Sequence, residues 1–154
     1  MPRLLTDVST KLTTSLQNLK GYSATMNKVT DEANETIRMV EQFLNEECSI
    51  GLPCSVTVSE FVDEEQNPVR NVSLEYRRIN SKFRIAVVTY YPSGEEEEKP
   101  WSDCPREDKL DSYKKLPDLL IELTKKVMTT LSETQENTRM VAQIIKNLIP
   151  KKEK

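Results

Sequence analysis

The chain has 154 residues, a net charge of −3 and no histidine, and its length is typical of a single domain. Without histidine it has no Ser-His or Cys-His nucleophile pair, no His-ligated zinc and no imidazole acid–base group. With three glycines and neither a GxGxxG nor a GxxxxGK[ST] motif, it has no phosphate-cradling loop of a dinucleotide-binding enzyme. We therefore expect no catalytic residues, no metal site and no cofactor.

Residues 4–48 are predicted to form one long amphipathic helix. Twelve positions between residues 5 and 43 follow the spacing of a heptad repeat, and ten of them are apolar or aromatic. Such a helix would be roughly 65 Å long, so the domain is expected to be elongated. Because the heptad phase continues past Gly21, we expect the helix to be continuous. The candidate oligomer seam is its N-terminal part: Leu5, Val8, Leu12, Leu19, Met26 and Val29.

Residues 54–91 are predicted to form a three-stranded antiparallel β-meander. Gly51-Leu52-Pro53 ends the helical region, and alternating apolar residues indicate strands at 55–62, 69–79 and 83–91. A two-residue turn at Asn80-Ser81 would pair residues whose numbers sum to 161. This register agrees with the apolar pattern. It pairs Leu74 with Val87, Tyr76 with Ile85, and Arg78 with Phe83.

The second face of the third strand is unusually apolar for the edge of a meander. One interpretation is that the following connection, with Trp101, folds over this face. The other is that the face contacts a protein, either a second copy or a different partner. The register also places Arg77 opposite Arg84, a like-charge pair that costs stability unless it is paired, and Glu75 could neutralise one of the two. Solvated charge is the simpler interpretation of this cluster, and binding of an anionic or extended peptide ligand is the alternative. The candidate interaction face comprises Arg77, Arg84, Ala86, Val88, Tyr90 and Trp101.

The C-terminal half is predicted to be an acidic connection and a second long helix. Residues 92–107 contain four consecutive glutamates, Glu95 to Glu98, and are expected to form a mobile loop. Residues 108–149 carry a helical apolar stripe, with Pro117 suited to a first turn or a kink. Residues 150–154 form a basic tail. The predicted fold is α+β in an α-βββ-α order, with the two helices packed antiparallel as a coiled-coil-like stem.

Charge and cysteine content indicate a cytoplasmic protein. The chain has no apolar segment of signal-peptide or membrane-spanning length, and we expect no membrane contact. The pI near 5.2 argues against nucleic acid as a partner, although residues 109–154 carry a net charge of +4. Cys48, Cys54 and Cys104 are too few to make a structural zinc site without histidine, and we expect free thiols.

The sequence favours a non-enzymatic protein-interaction module that associates with itself, most simply as a homodimer. The alternative is a small acidic adaptor or chaperone that binds a segment of another protein on the sheet face. In element order, size and low pI the chain resembles the general character of type III secretion chaperones. That resemblance implies an acidic dimer that holds an unfolded partner segment.

Overall fold

The computed structural model describes residues 2–149, with side chains from residue 3. The predicted basic tail at 150–154 lies outside the described residues. Helix α1 continues directly into a π-helical turn, and a short 3-10 turn precedes α2. The elements are α1 (Pro2–Gln42), the π-helical turn (Phe43–Glu47), β1 (Cys54–Val62), β2 (Pro68–Ile79), β3 (Lys82–Tyr90), β4 (Glu96–Pro100), the 3-10 turn (Trp101–Asp103), α2 (Arg106–Tyr113) and α3 (Leu116–Leu148).

The fold is α+β, as predicted, but the sheet has four antiparallel strands in the order β1-β2-β3-β4. The prediction of three strands and an acidic loop was wrong, because Glu96–Pro100 pairs with β3 from Tyr90 to Ala86. Strand alternation explains why a run of glutamates tolerates this conformation. It places Glu96 and Glu98 on one face and Glu97 on the other, which separates neighbouring like charges.

The predicted hairpin between β2 and β3 is confirmed residue by residue. Leu74 pairs with Val87 and Tyr76 with Ile85, and the pairing extends to Ile79 and Lys82. Asn80 and Ser81 have φ angles of 50° and 72°, as a turn that matches strand twist requires. The turn and the apolar alternation therefore select the same register.

Both long helices cover the same face of the sheet, which we call the inner face. Helix α1 contributes Ala33 and Ile37 to the core, the π-helical turn contributes Leu44, and the first part of α3 contributes its buried leucines. Only the end of α1, from Thr30 onward, and the beginning of α3, as far as Leu123, contain buried residues. Most of the remainder is exposed because a four-stranded sheet is much shorter than either helix. The buried core residues are Ala33, Ile37, Leu44, Leu74, Tyr76, Ile85, Val87, Trp101, Cys104, Leu116, Leu119 and Leu123.

The two helices cross the sheet in the same direction. Glu41 contacts the backbone of Ile85 and Asn45 contacts that of Phe83, so α1 approaches the β2–β3 turn as it ends. Helix α3 starts beyond α2, whose Asp111 lines a cavity with Val72 and Thr89, and reaches the carbonyl of Pro53 with Lys126. Pro53 precedes Cys54, which pairs with Tyr76 near the same turn. The predicted antiparallel stem is therefore not formed within the chain.

Gly21 does not interrupt the first helix, whereas Pro117 lies near a helix boundary. Helix α1 runs unbroken through Gly21, as the continuous heptad phase predicts. The predicted helix at 108–149 is divided at Lys114-Lys115 into α2 and α3. Pro117 lies in the first turn of α3, where its missing N–H has no helical partner to lose. This break lets α2 turn away from α3 and contact α1.

Candidate interaction surfaces

The N-terminal part of α1 extends away from the sheet. Every residue from Arg3 to Val29 is exposed, and Thr30 is the first buried residue of the helix. We call residues 3–29 the α1 arm. The six seam residues predicted from the heptad pattern all lie on it and are 43–73% exposed, and they form one apolar stripe: Leu5, Val8, Leu12, Leu19, Met26 and Val29.

The C-terminal part of α3 forms a second exposed apolar helix. Residues 131–149 are all exposed, and we call them the α3 arm. Their large apolar side chains are 49–74% exposed, although the same helix buries Leu119 and Leu123 against the sheet. The sequence indicated this stripe but assigned it to a contact with α1. The residues are Leu131, Met140, Val141, Ile144, Ile145, Leu148 and Ile149.

An apolar groove lies between α1 and α3 where the two helices cross the sheet. Its volume is about 720 Å³. Val40 and Phe43 line the α1 side, and Val127 and Met128 line the α3 side, with Cys48 and Ile50 at the end nearer the π-helical turn. Phe43 is 52% and Met128 65% exposed. The groove joins the stripes of the two arms into one apolar track, which sequence analysis did not identify.

The outer face of the sheet is closed by its own side chains. Ala86 and Val88 are fully buried, although the helices pack against the opposite face. Arg77 extends from β2 across β3, with Nη2 3.1 Å from Glu96 and Nε 3.0 Å from Glu98 on β4. Its long side chain therefore covers the two small apolar residues beneath it.

The buried carboxylate of Glu75 contacts Arg77 in this arrangement. Glu75 is nine-tenths buried, lies 3.5 Å from Arg77 and accepts a 2.5 Å hydrogen bond from the Tyr90 hydroxyl. Burial, reinforced by the Glu75 carboxylate, raises the pKa of Tyr90 to about 12. Four residues of the predicted face therefore lie together on the outer face of the sheet. Arg77 and Tyr90 form ion pairs and hydrogen bonds with carboxylates, and Ala86 and Val88 are buried.

The other two residues of the predicted face lie elsewhere. Arg84 pairs with Arg77 in register, but its guanidinium points to Glu41 of α1, 3.6 Å away, and to Ser102. Trp101 is completely buried in the core, and its Nε1–H donates to Ser112 Oγ at 3.0 Å. The two arginines therefore avoid repulsion by using carboxylates on different elements.

Side chains of α1 and of the π-helical turn that follows it complete the edge of β3 beyond the end of β4. The backbone N–H of Ile85 donates to Glu41 Oε1 at 2.7 Å, and Asn45 Nδ2 donates to the Phe83 carbonyl at 2.8 Å. Asn45 also accepts a hydrogen bond from Tyr76. This contact satisfies backbone groups that would otherwise remain unpaired. The contact was not predictable from the sequence, because an i, i+4 polar pair on a helix has many possible partners.

A small cavity of about 290 Å³ lies at the end of the inner face that the long helices leave uncovered. It brings together Cys104, Glu107 and Asp108, which the sequence places close to one another, with Arg70 and Lys99 from the sheet. Burial raises the pKa of Cys104 to about 11. A thiol that stays protonated at neutral pH is a weak nucleophile.

Three further findings bear on function. No group of three or more Cys, Asp or Glu side chains in residues 2–149 is arranged to hold a metal ion. Within the same residues, no helix combines the length and apolar character needed to cross a membrane. All three cysteines are free.

Comparison with known proteins gives no relative. The chain matches no protein-family model, no curated protein sequence and no solved structure. Inference about its function therefore depends on the surfaces described above.

Proposed function

We propose that this protein is a non-enzymatic interaction module that associates with itself as a homodimer through its two helical arms. The observation that carries this proposal is the size of the exposed apolar track. It begins at Leu5, passes through the groove and ends at Leu148, and its exposed large apolar side chains are interrupted by polar segments between Val29 and Met39 and between Leu131 and Met140. Exposed apolar surface of this extent is typical of protein interaction sites.

The physical chemistry of the α1 arm supports the same proposal. Isolated helices gain little stability in water, and most helical stability in proteins comes from packing an apolar face. The arm is rich in threonine and serine and contains Gly21, and these residues have middling to poor helix propensity. A partner that covers the stripe would supply the stability that the arm lacks by itself.

The proposed compartment is the cytoplasm, where cysteines remain reduced. Cys48 is exposed and Cys54 half-buried, and both are free although only six residues apart. A reducing compartment fits these thiols.

Sedimentation equilibrium at several concentrations tests the proposal. We expect twice the chain mass of 17.8 kDa, with dissociation on dilution, because the association constant is finite. A control without the α1 arm, residues 30–154, retains every core residue of the sheet and is expected to sediment as a monomer. A 17.8 kDa species for the full chain at all concentrations would contradict the proposal.

The groove favours a second candidate function, that of an adaptor which holds an apolar helical segment of another protein. Its width between two helices and its apolar lining are typical of helix-in-groove recognition. The Phe43→Glu variant changes an exposed residue of the groove and leaves both arms unaltered. Loss of a bound partner by this variant, with the dimer retained, would favour the adaptor.

A further inference from the structure

We infer that, in the dimer, the α1 arm of each copy packs antiparallel against the α3 arm of the other copy. This inference rests on the proposed function, because it specifies which surfaces of two copies meet. It assigns the antiparallel pairing expected from the sequence to a contact between chains. The two-fold axis passes through the groove, so the dimer has one arm pair at each end.

The direction of the helices makes this arrangement possible. Both helices run toward the β2–β3 turn, as the contacts of Asn45 and Lys126 show. The α1 arm precedes the sheet crossing and the α3 arm follows it, so the arms extend from opposite ends of the sheet. A two-fold rotation about an axis perpendicular to the helices reverses the direction of both helices in the second copy. Its α3 arm then lies beside the α1 arm of the first copy.

The same rotation closes the assembly. Each α1 arm meets one α3 arm, both pairs are equivalent, and no arm remains free. A two-fold contact of this kind is isologous and ends at two copies, whereas a head-to-tail contact between the same arms would continue into a filament. Closure also brings the two grooves face to face, which covers Phe43 and Met128.

The α3 arm is long enough to cover about two thirds of the α1 arm, and the two apolar stripes are compatible with this pairing. The α1 arm has 27 residues and the α3 arm 19, or about 40 Å and 28 Å at 1.5 Å per residue. Both stripes enter the groove from opposite ends, Val29 leading to Val40 and Leu131 leading to Val127. The two stripes therefore face the same side of the molecule, which the second copy occupies.

Charge favours pairing between unlike arms. The α1 arm carries Arg3, Lys11, Lys20 and Lys28 against Asp7, for a net charge of +3. The α3 arm carries two carboxylates and two cations and is neutral. Two α1 arms packed together would place +3 against +3, and long-range repulsion opposes such pairs. A neutral α3 arm avoids this penalty.

Complementation between two variants tests the pairing. The first variant, Leu12→Glu with Leu19→Glu, places charge on the α1 stripe. The second, Leu131→Lys with Ile145→Lys, places the opposite charge on the α3 stripe. Each variant alone disrupts both arm pairs, so we expect its dimer association constant to fall at least about a hundredfold. An equimolar mixture keeps one native arm pair and sets Glu against Lys in the other, so it is expected to form a heterodimer.

Matched controls carry the same charges on the opposite faces of the arms. These are Thr10→Glu with Gln17→Glu on α1, and Ser132→Lys with Gln143→Lys on α3, all at exposed positions. They are expected to remain dimeric. Because none of the altered residues belongs to the core, fluorescence of the buried Trp101 verifies that each variant is folded.

The remaining outcomes overturn the inference in distinguishable ways. Disruption by the α1 variant alone indicates pairing of two α1 arms, and disruption by the α3 variant alone indicates pairing of two α3 arms. Dimers in both variants, or failure of the mixture to associate, also contradict reciprocal pairing but leave a self-associating module intact. A mass that grows beyond two copies indicates open head-to-tail contact. A native chain that is monomeric at all concentrations is the only outcome that would contradict the proposed function itself.

Discussion

Arg77 on β2 and Glu98 on β4 form an ion pair with Nε and Oε2 3.0 Å apart, which crosses the intervening strand β3 diagonally because Arg77 pairs with Arg84 and Glu98 with Val88. The arginine also contacts Glu75 and Glu96, and it crosses the outer face of β3, where Ala86 and Val88 are fully buried. The Arg77 side chain therefore links β2 to β4 and shields the buried apolar residues of the outer face from solvent. Arginine suits this role because its guanidinium offers donors in several directions.

Replacing the guanidinium of Arg77 is expected to destabilise the fold. Arg77→Met keeps an unbranched apolar stem but leaves the buried Glu75 carboxylate without its cation, which costs about 2 kcal/mol of unfolding free energy. Urea denaturation at fixed protein concentration measures the loss. The control is Arg139→Met, whose ion pair with Glu136 is largely exposed, with an expected change within about 0.5 kcal/mol. Equal losses in both variants would show that the outer-face network has no special role.

Stability is expected to fall at alkaline pH through Tyr90. Its pKa is raised from 10.0 to about 12, so the folded state favours the protonated phenol. This contribution is complete below pH 10 and is lost as the pH rises through about 12. Tyr90→Phe removes it, so unfolding free energy should decline less steeply in the variant over that range. Cys104 and Tyr76 also have raised pKa values and contribute equally to both proteins. Parallel curves for the two proteins would contradict the prediction.

The hydrogen bond between Trp101 and Ser112 is expected to stabilise the packing of α2. Ser112 Oγ accepts a hydrogen bond from the Trp101 indole at 3.0 Å and donates one to the Asp108 carbonyl at 2.6 Å. Trp101 and Ser112 are both buried. Ser112→Ala leaves the indole N–H without an acceptor, at a cost of about 2 kcal/mol. Tryptophan fluorescence during denaturation follows the loss. Ser132→Ala, at an exposed position of α3, is the control and is expected to have a small effect.

The contact of Glu41 with the edge of β3 is expected to protect one backbone amide. Glu41→Ala removes the acceptor of the Ile85 N–H, whose hydrogen bond is 2.7 Å long. Exchange of this amide should accelerate roughly tenfold, because a charge-assisted hydrogen bond is worth about 1.5 kcal/mol. Native-state hydrogen exchange measures the rate. Glu35→Ala is the matched control, since Glu35 is exposed and pairs with Arg38 on the same helix. Unchanged exchange at Ile85 would show that other contacts protect this edge.

Several features were predictable because they depend on neighbours in the sequence. The β2–β3 register follows from Asn80-Ser81 and the apolar alternation, and the continuity of α1 follows from its heptad phase. The fourth strand was missed because Glu95 to Glu98 have a composition typical of loops. Glu96 to Glu98 pair with β3, and two of them form ion pairs with Arg77, which lies 19 residues before Glu96, and no local pattern contains that information. The outer face was identified by position, but the burial of Val88 depends on which side chain lies over it.

The sequence by itself determined the α+β class, the helical arms and the hairpin register, because periodicity and turn chemistry are local properties. It also placed the six residues of the predicted oligomer seam on one apolar stripe of the α1 arm, because helical spacing alone determines which residues share a face. Only the tertiary structure decided the relative direction of α1 and α3, the burial of Trp101 and the closure of the outer face by Arg77. Each of these depends on side chains that are distant in sequence and meet over one small sheet. That sheet is too short to cover either helix, and the surplus length of both becomes exposed apolar surface.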